Sequence, residues 1–214
     1  MNLWLRAHFL LAGLILCSSA PTQDECETLL QPVSLKNIAK FYGRFNIITV
    51  FAEGVYDKIM SSMESSWINN TAGTLDGVEA LAMSEVNKIN GKCFSAKSTM
   101  KLVEDKVLAE YANITTSFHV LPGSEDVMVF SCNSTFSGDI DGLLQFLNLD
   151  VLGSPPEGVI RSLYLMSHHT TVKDSDLKQF KQQASCLGFQ GEPVFQYDPK
   201  NGFCSEDETI KVEF

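Results

Sequence analysis

The chain has 214 residues, 44% of them hydrophobic and 20% charged, with a formal net charge of −10. That composition excludes a disordered or collagen-like chain, and the acidic balance excludes a binder of phosphate backbones, so no nucleic-acid partner is expected. With four histidines in the whole chain, a metal site is poorly provided for and none is expected.

In chain order, the first signal is a lone basic residue, Arg6, followed by the apolar run Phe9–Cys17 and the small residues Ser18, Ser19 and Ala20. This is the pattern of a secretory signal peptide over residues 1–20. The run is too short to cross a bilayer, which takes about 20 apolar residues. No later stretch is long and apolar enough either, so a secreted, extracellular protein without a transmembrane segment is expected. Cys26, Cys93, Cys132, Cys186 and Cys204 remain after cleavage. In an oxidising compartment they make two disulfides and one odd thiol, and spacing alone leaves the pairing open. Sequons at Asn69, Asn113 and Asn133 indicate a glycoprotein.

Short strands fill the middle of the chain. Arg44–Phe51 is rich in β-branched and aromatic residues, and Ser65–Asn69 is a weaker strand carrying Trp67. Asn90-Gly91 joins Val78–Ile89 to Cys93–Val103 as a hairpin. Val107–Ala112, Thr115–Leu121, Val127–Asn133 and Val159–Ser167 follow. A helix is expected over about residues 174–187, capped by Asp174 or Ser175 and stopped at Gly188, with residues 205–214 a flexible acidic tail. About eight sequential strands before one late helix suggest an all-β antiparallel barrel rather than a βαβ protein. In the long connection before the last strand, Asp141–Leu149 is too apolar for a solvated loop, and a short amphipathic helix is expected.

Enzyme signatures are scarce. There is no Gly-x-Ser-x-Gly elbow, no His-Glu-x-x-His and no glycine-rich phosphate loop. His168 and His169 are adjacent on a strand end and so point to opposite faces, as surface residues. Asp139-Ile140-Asp141-Gly142 begins like a calcium loop, but Leu143 stands where a third acidic ligand belongs. Cys132 is the one side chain suited to covalent chemistry, and nothing basic nearby in the sequence would activate it.

Four stretches carry a resemblance. Gly43-Arg44-Phe45 resembles the lipocalin Gly-x-Trp signature, with Phe in place of Trp; Asn90-Gly91-Lys92-Cys93 resembles the start of a middle strand bearing a disulfide cysteine. Asp174–Gly188 and Tyr197–Cys204 resemble a C-terminal helix and a returning tail, each with its cysteine. Together with Cys26 the pattern is similar to the α1-acid glycoprotein branch of the lipocalins, its helix and tail most similar to the fish saxitoxin-, tetrodotoxin- and tributyltin-binding group. The resemblance implies an eight-stranded up-and-down barrel over residues 21–204, one ligand cavity, the helix packed outside, and bridges Cys26–Cys186 and Cys93–Cys204. Arg161 is the candidate for the strand-end arginine that stacks on the signature aromatic.

Side-chain alternation then assigns the pocket. With Phe45 at the floor, Ile47 and Thr49 face inward. With Cys93 outward, Phe94, Ala96, Ser98 and Met100 face inward. Met128, Phe130 and Cys132 are placed inward on the seventh strand. Ser162 and Tyr164 match inward positions of the family pattern on the eighth, and Trp67 and Phe118 are added. The expected function is carriage of a small hydrophobic or amphipathic ligand (a lipid, steroid, toxin or xenobiotic) by a monomer, or a dimer, that is not an enzyme and uses no cofactor. Two alternatives are a lipocalin-type isomerase with Cys132 as its thiol, and a secreted protein-binding module.

Overall fold

The computed structural model describes residues 20–212 apart from residues 112 and 155. All but the last residue of the expected signal peptide lies outside them. Eight strands form the barrel: β1 (Gly43–Ala52), β2 (Met63–Leu75), β3 (Val78–Ile89), β4 (Lys92–Val103), β5 (Lys106–Tyr111), β6 (Ile114–Leu121), β7 (Val127–Phe136) and β8 (Val159–Ser167). They pair antiparallel in the order β4-β3-β2-β1-β8-β7-β6-β5, and a β4–β5 pairing closes the cylinder. The fold is thus an up-and-down barrel.

Local chemistry sets the hairpins. Asn90-Gly91 and Asp76-Gly77 both hold positive φ at the two central positions, the geometry whose twist matches the flanking strands. The second turn carries β2 on to Leu75, well past the strand expected from sequence. A 3₁₀ turn at Ile38–Phe41 buries Ile38 and Phe41 at the floor, where β1 begins. The opposite end, the mouth, carries α2 (Val55–Ser61) between β1 and β2 and α3 (Asp141–Phe146) between β7 and β8.

Outside the barrel lie α1 (Gln23–Leu29) and α4 (Asp174–Cys186). Thr22 and Glu25 close a capping box on α1. Lys173 is the N-cap of α4 and gives no side-chain cap, so neither Asp174 nor Ser175 plays that part. Phe180 and Ala184 bury the inner face of α4 on Phe51, Leu121, Val129, Leu163 and Leu165. Gly188, at φ +84°, turns the chain out of the helix. Cys26–Cys186 ties α1 to α4, and Cys93–Cys204 ties β4 to the C-terminal tail.

The described part of that tail, to residue 212, carries secondary structure. It contributes β9 (Phe195–Gln196) to β1, a 3₁₀ turn at Glu206–Glu208, and β10 (Ile210–Lys211), which adds in parallel to β4. Arg161 does not stack on Phe45. Its guanidinium forks onto the Glu53 carboxylate, its Nη1 donates to Leu187 O at 2.6 Å, and it lies over the Phe189 ring. His168, exposed at the end of β8, stacks on Phe45 instead, with centroids 4.0 Å apart, and its Nδ1 meets Arg44 O at 2.7 Å.

Candidate functional site

The barrel encloses a cavity of about 220 Å³. Its wall is mostly apolar, with Ile47 and Ile68 from the first strands, Phe94 and Met100 from β4, and Phe118 and Phe130 from β6 and β7. Met60, Met63, Met83 and Met166 add flexible thioether side chains, which adapt to irregular shapes. Two groups of polar residues interrupt this wall.

One group lies toward β6–β8. The Tyr56 hydroxyl donates to Ser134 Oγ at 3.1 Å, and Ser134 Oγ and Thr116 Oγ1 are 2.8 Å apart. Ser162 and Tyr164 follow on β8, with Cys132 directly across from Ser162. Burial pushes the phenols of Tyr56 and Tyr164 above their usual range, so both are neutral hydrogen-bonding groups. The other group is on β3, where Glu85 and Asn87 face inward opposite Ala96 and Phe94. Asn87 Nδ2 donates to Glu85 Oε1 at 2.9 Å. No Lys, Arg or His among the described residues lines the cavity. Burial raises the Glu85 carboxyl above the ordinary carboxylate range, and the Asn87 bond offsets part of that rise.

Of the pocket residues assigned from sequence, the structure brings Ile47, Phe94, Met100, Phe118, Phe130, Ser162 and Tyr164 to the cavity wall. Met128 is buried in the same interior cluster but is not on the wall; it pairs with Met166 in the lower half of the barrel. Thr49 and Trp67 are corrections. A bulge between Ile47 and Thr49 breaks the alternation of β1, so Val50 joins the interior cluster. Thr49 Oγ1 donates to Phe195 O at 2.9 Å, toward β9. Trp67 is one residue out of phase with Ile68, the inward partner of Phe45. It packs outside the barrel with Val86 and Cys204, its Nε1 donates to Cys204 O at 2.9 Å, and Arg44 lies 4.4 Å above its ring.

The mouth is roofed by α3. Leu143 and Leu147 line the cavity, Leu144 is fully buried with Val55 and Ile140, and the half-exposed Phe146 ring meets Phe94 at 5.4 Å. The Asp141 carboxylate pins the roof by accepting from Leu152 N at 2.8 Å and Gly153 N at 3.1 Å. This is the structural use of the acidic pair that resembles a calcium loop. Cys132 is buried and unpaired, and burial pushes its thiol pKa far up, which disfavours the nucleophilic thiolate. Asn113 and Asn133 are exposed, and Asn69 is partly exposed within β2. No group of three or more His, Cys, Asp or Glu side chains among the described residues is arranged for a metal ion. No helix among them is long and apolar enough to cross a membrane.

No family model matches the chain, and no curated protein matches it. Solved structures do. It is similar to the siderocalin Ex-FABP, whose published description states dual ligand specificities, at 13% identity and a TM-score of 0.55 over 74% of this chain and 95% of that one. It is similar to the bovine lipocalin allergen Bos d 2 at 18% identity and a TM-score of 0.52, over 74% and 94%. A dog lipocalin allergen matches at 14% identity and a TM-score of 0.51, over 70% and 87%. These likenesses show that the fold is that of the lipocalins.

Proposed function

We propose that the protein is a secreted carrier of a small amphipathic molecule, held with its apolar body among the barrel's aromatic and methionine side chains and a basic nitrogen at Glu85. The observation that carries this reading is Glu85: one carboxyl on a largely apolar wall, hydrogen-bonded to Asn87 and facing no cation among the described residues. Placing a carboxylate in such surroundings is costly unless it is paired. A ligand ammonium or guanidinium would supply the missing partner, while Tyr56, Tyr164 and Ser162 would orient its other polar groups.

The two disulfides support passage through an oxidising compartment. Exposed Asn113 and Asn133 suit glycan attachment, with Asn69 a third acceptor. The cysteine frame supports placement near the α1-acid glycoprotein branch. Isomerase chemistry at Cys132 gains no support, since burial raises its thiol pKa and disfavours the thiolate.

The test uses N-phenyl-1-naphthylamine, a neutral dye that brightens in apolar surroundings, with dodecylamine and dodecanol as competitors. Wild-type protein should bind the dye and release it to dodecylamine at lower concentration than to dodecanol. Glu85→Gln should keep dye binding and lose the difference. Absence of dye binding would overturn carriage; equal competition in wild type would overturn the role of Glu85.

A further inference from the structure

The barrel seam is incomplete at one place. β4 is twelve residues long, yet among the described residues it meets β5 only through Lys101↔Leu108, Leu102↔Val107 and Val103↔Lys106. β5 is six residues long and turns back into β6, so the mouth-side half of β4 has no partner from it. An unpaired strand edge opening onto an apolar cavity is normally covered. Here β10 covers it, through Ile210↔Phe94 and Lys211↔Ser95. Val212 N donates to Ser95 O at 2.7 Å, and the Val212 side chain lines the cavity. Because β10 runs parallel to β4, Val212 extends along β4 toward Ala96, another wall residue. The last strand is therefore part of the binding-site wall.

We infer that the slit between β4 and β5 is a side route to the cavity, that β10 is its gate, and that Val212 is the residue that obstructs it. The inference rests on the carrier reading above. The cover is built to open. Among the described residues two residue pairs hold β10, Ile210 is 50% exposed and Val212 is only partly buried, so release of the strand uncovers one modest apolar side chain. The Thr209 hydroxyl adds a bond to Ser95 Oγ at 2.7 Å, within reach of water. The base of the segment cannot leave, because Cys204 is bonded to Cys93, the residue before Phe94. A freed β10 stays tethered beside its docking edge and closes again as an intramolecular event. The roof offers the opposite case: α3 is anchored by fully buried Leu144 and by the two N–H bonds to Asp141.

Stopped-flow mixing with N-phenyl-1-naphthylamine tests the gate. Removing residues 210–214 should raise both the association and the dissociation rate constants roughly tenfold, since binding that must await an opening step is slowed by it. Val212→Gly retains the β10 backbone and should raise both rates by a smaller factor; it also serves if the deletion variant folds poorly. Faster dissociation with unchanged association in both variants would reduce β10 to a ligand contact and overturn the gate, as would unchanged rates throughout. Failure of wild-type protein to bind the dye would overturn the carrier reading together with the gate, whereas normal binding with ungated kinetics overturns the gate alone.

Discussion

The C-terminal tail patches the barrel twice, and the two patches are built differently. β9 lies on β1 where β2 pairs with only its first four residues, Gly43–Asn46. It is held by Val194 N to Val50 O at 2.9 Å, Tyr197 N to Ile48 O at 2.8 Å and the Thr49 hydroxyl on Phe195 O, with Phe195 buried in the interior cluster. β10 lies on β4 beyond the disulfide, by two residue pairs and with exposed side chains. Both satisfy an open strand edge. Only β9 also buries a large apolar side chain, which makes it a permanent piece of wall. Covering an edge costs little to undo when a few hydrogen bonds and one partly buried valine hold the cover, because water replaces the bonds at a net loss of about 1 kcal/mol each.

The bridge between the two patches gives the largest expected effect. Cys93–Cys204 links residues 111 positions apart, and its loss should lower stability by about 4–5 kcal/mol in the chain-entropy model. Cys26–Cys186, spanning 160 positions, should cost a similar amount. The comparison sharpens in the kinetics. Cys93→Ser unties the base of β10 and should speed dye release, whereas Cys26→Ser should leave release unchanged. Denaturant titration and stopped-flow release, measured on both variants, check the pair, and equal release rates would count against the distinction between the patches.

Next come the patches themselves. Phe195→Ala should destabilise by about 3–5 kcal/mol, the usual range for emptying a buried phenylalanine site. Ile210→Ala should stay within about 0.5 kcal/mol, as surface substitutions do. A cost for Ile210→Ala approaching that of Phe195→Ala would show β10 to be a fixed part of the wall rather than a gate.

A smaller effect is pH-dependent and belongs to the β3 wall, across β4 from β10. Burial raises the Glu85 carboxyl in the native state, whereas an unfolded chain titrates it in the ordinary range. Between those two points the native state binds more protons, so stability is full below the unfolded value and falls as pH rises through the native one. The partly exposed carboxyls Glu64 and Asp126 are shifted downward by their lysine partners and act in the opposite sense, losing stability as pH falls. Melting curves of wild type and Glu85→Gln across mildly acidic to neutral pH separate the two, since only the decline toward neutral pH should vanish in the variant.

Much of this architecture is legible in the residues. The Asn90-Gly91 turn fixes the pairing of β3 with β4, and Phe94 and Ala96 face inward from β4. The same register turns Asn87 and Glu85 inward across that hairpin, so the turn and the β4 alternation together carry the signal for them. Asp76-Gly77 likewise marks the true end of β2. Other features are hidden for physical reasons. No residue type announces the bulge that turns Thr49 away from the cavity. The parallel docking of β10 depends on a gap in the sheet that only the assembled barrel creates. Met60 and Met63 reach the wall from the mouth-side segment around α2, where strand alternation does not apply.

The smallest expected effect is an absence of change, and it tests whether the ligand disturbs the tail at its disulfide. In a chain beginning at residue 21, Trp67 is the single tryptophan, since Trp4 is removed. Trp67 is 6% exposed, donates to Cys204 O and lies beneath Arg44, on the outer face of a wall whose inner face belongs to Ile68. Saturating ligand should therefore leave its emission maximum where it is. Removing residues 210–214 should also leave it unmoved, because the gate lies beyond the disulfide. Cys93→Ser should shift it to longer wavelength, as the indole loses its carbonyl partner and gains water. A ligand-induced shift in the intact protein would mean that binding displaces the segment around Cys204, and β10 would then be one end of a larger moving strap rather than a gate hinged at the bridge.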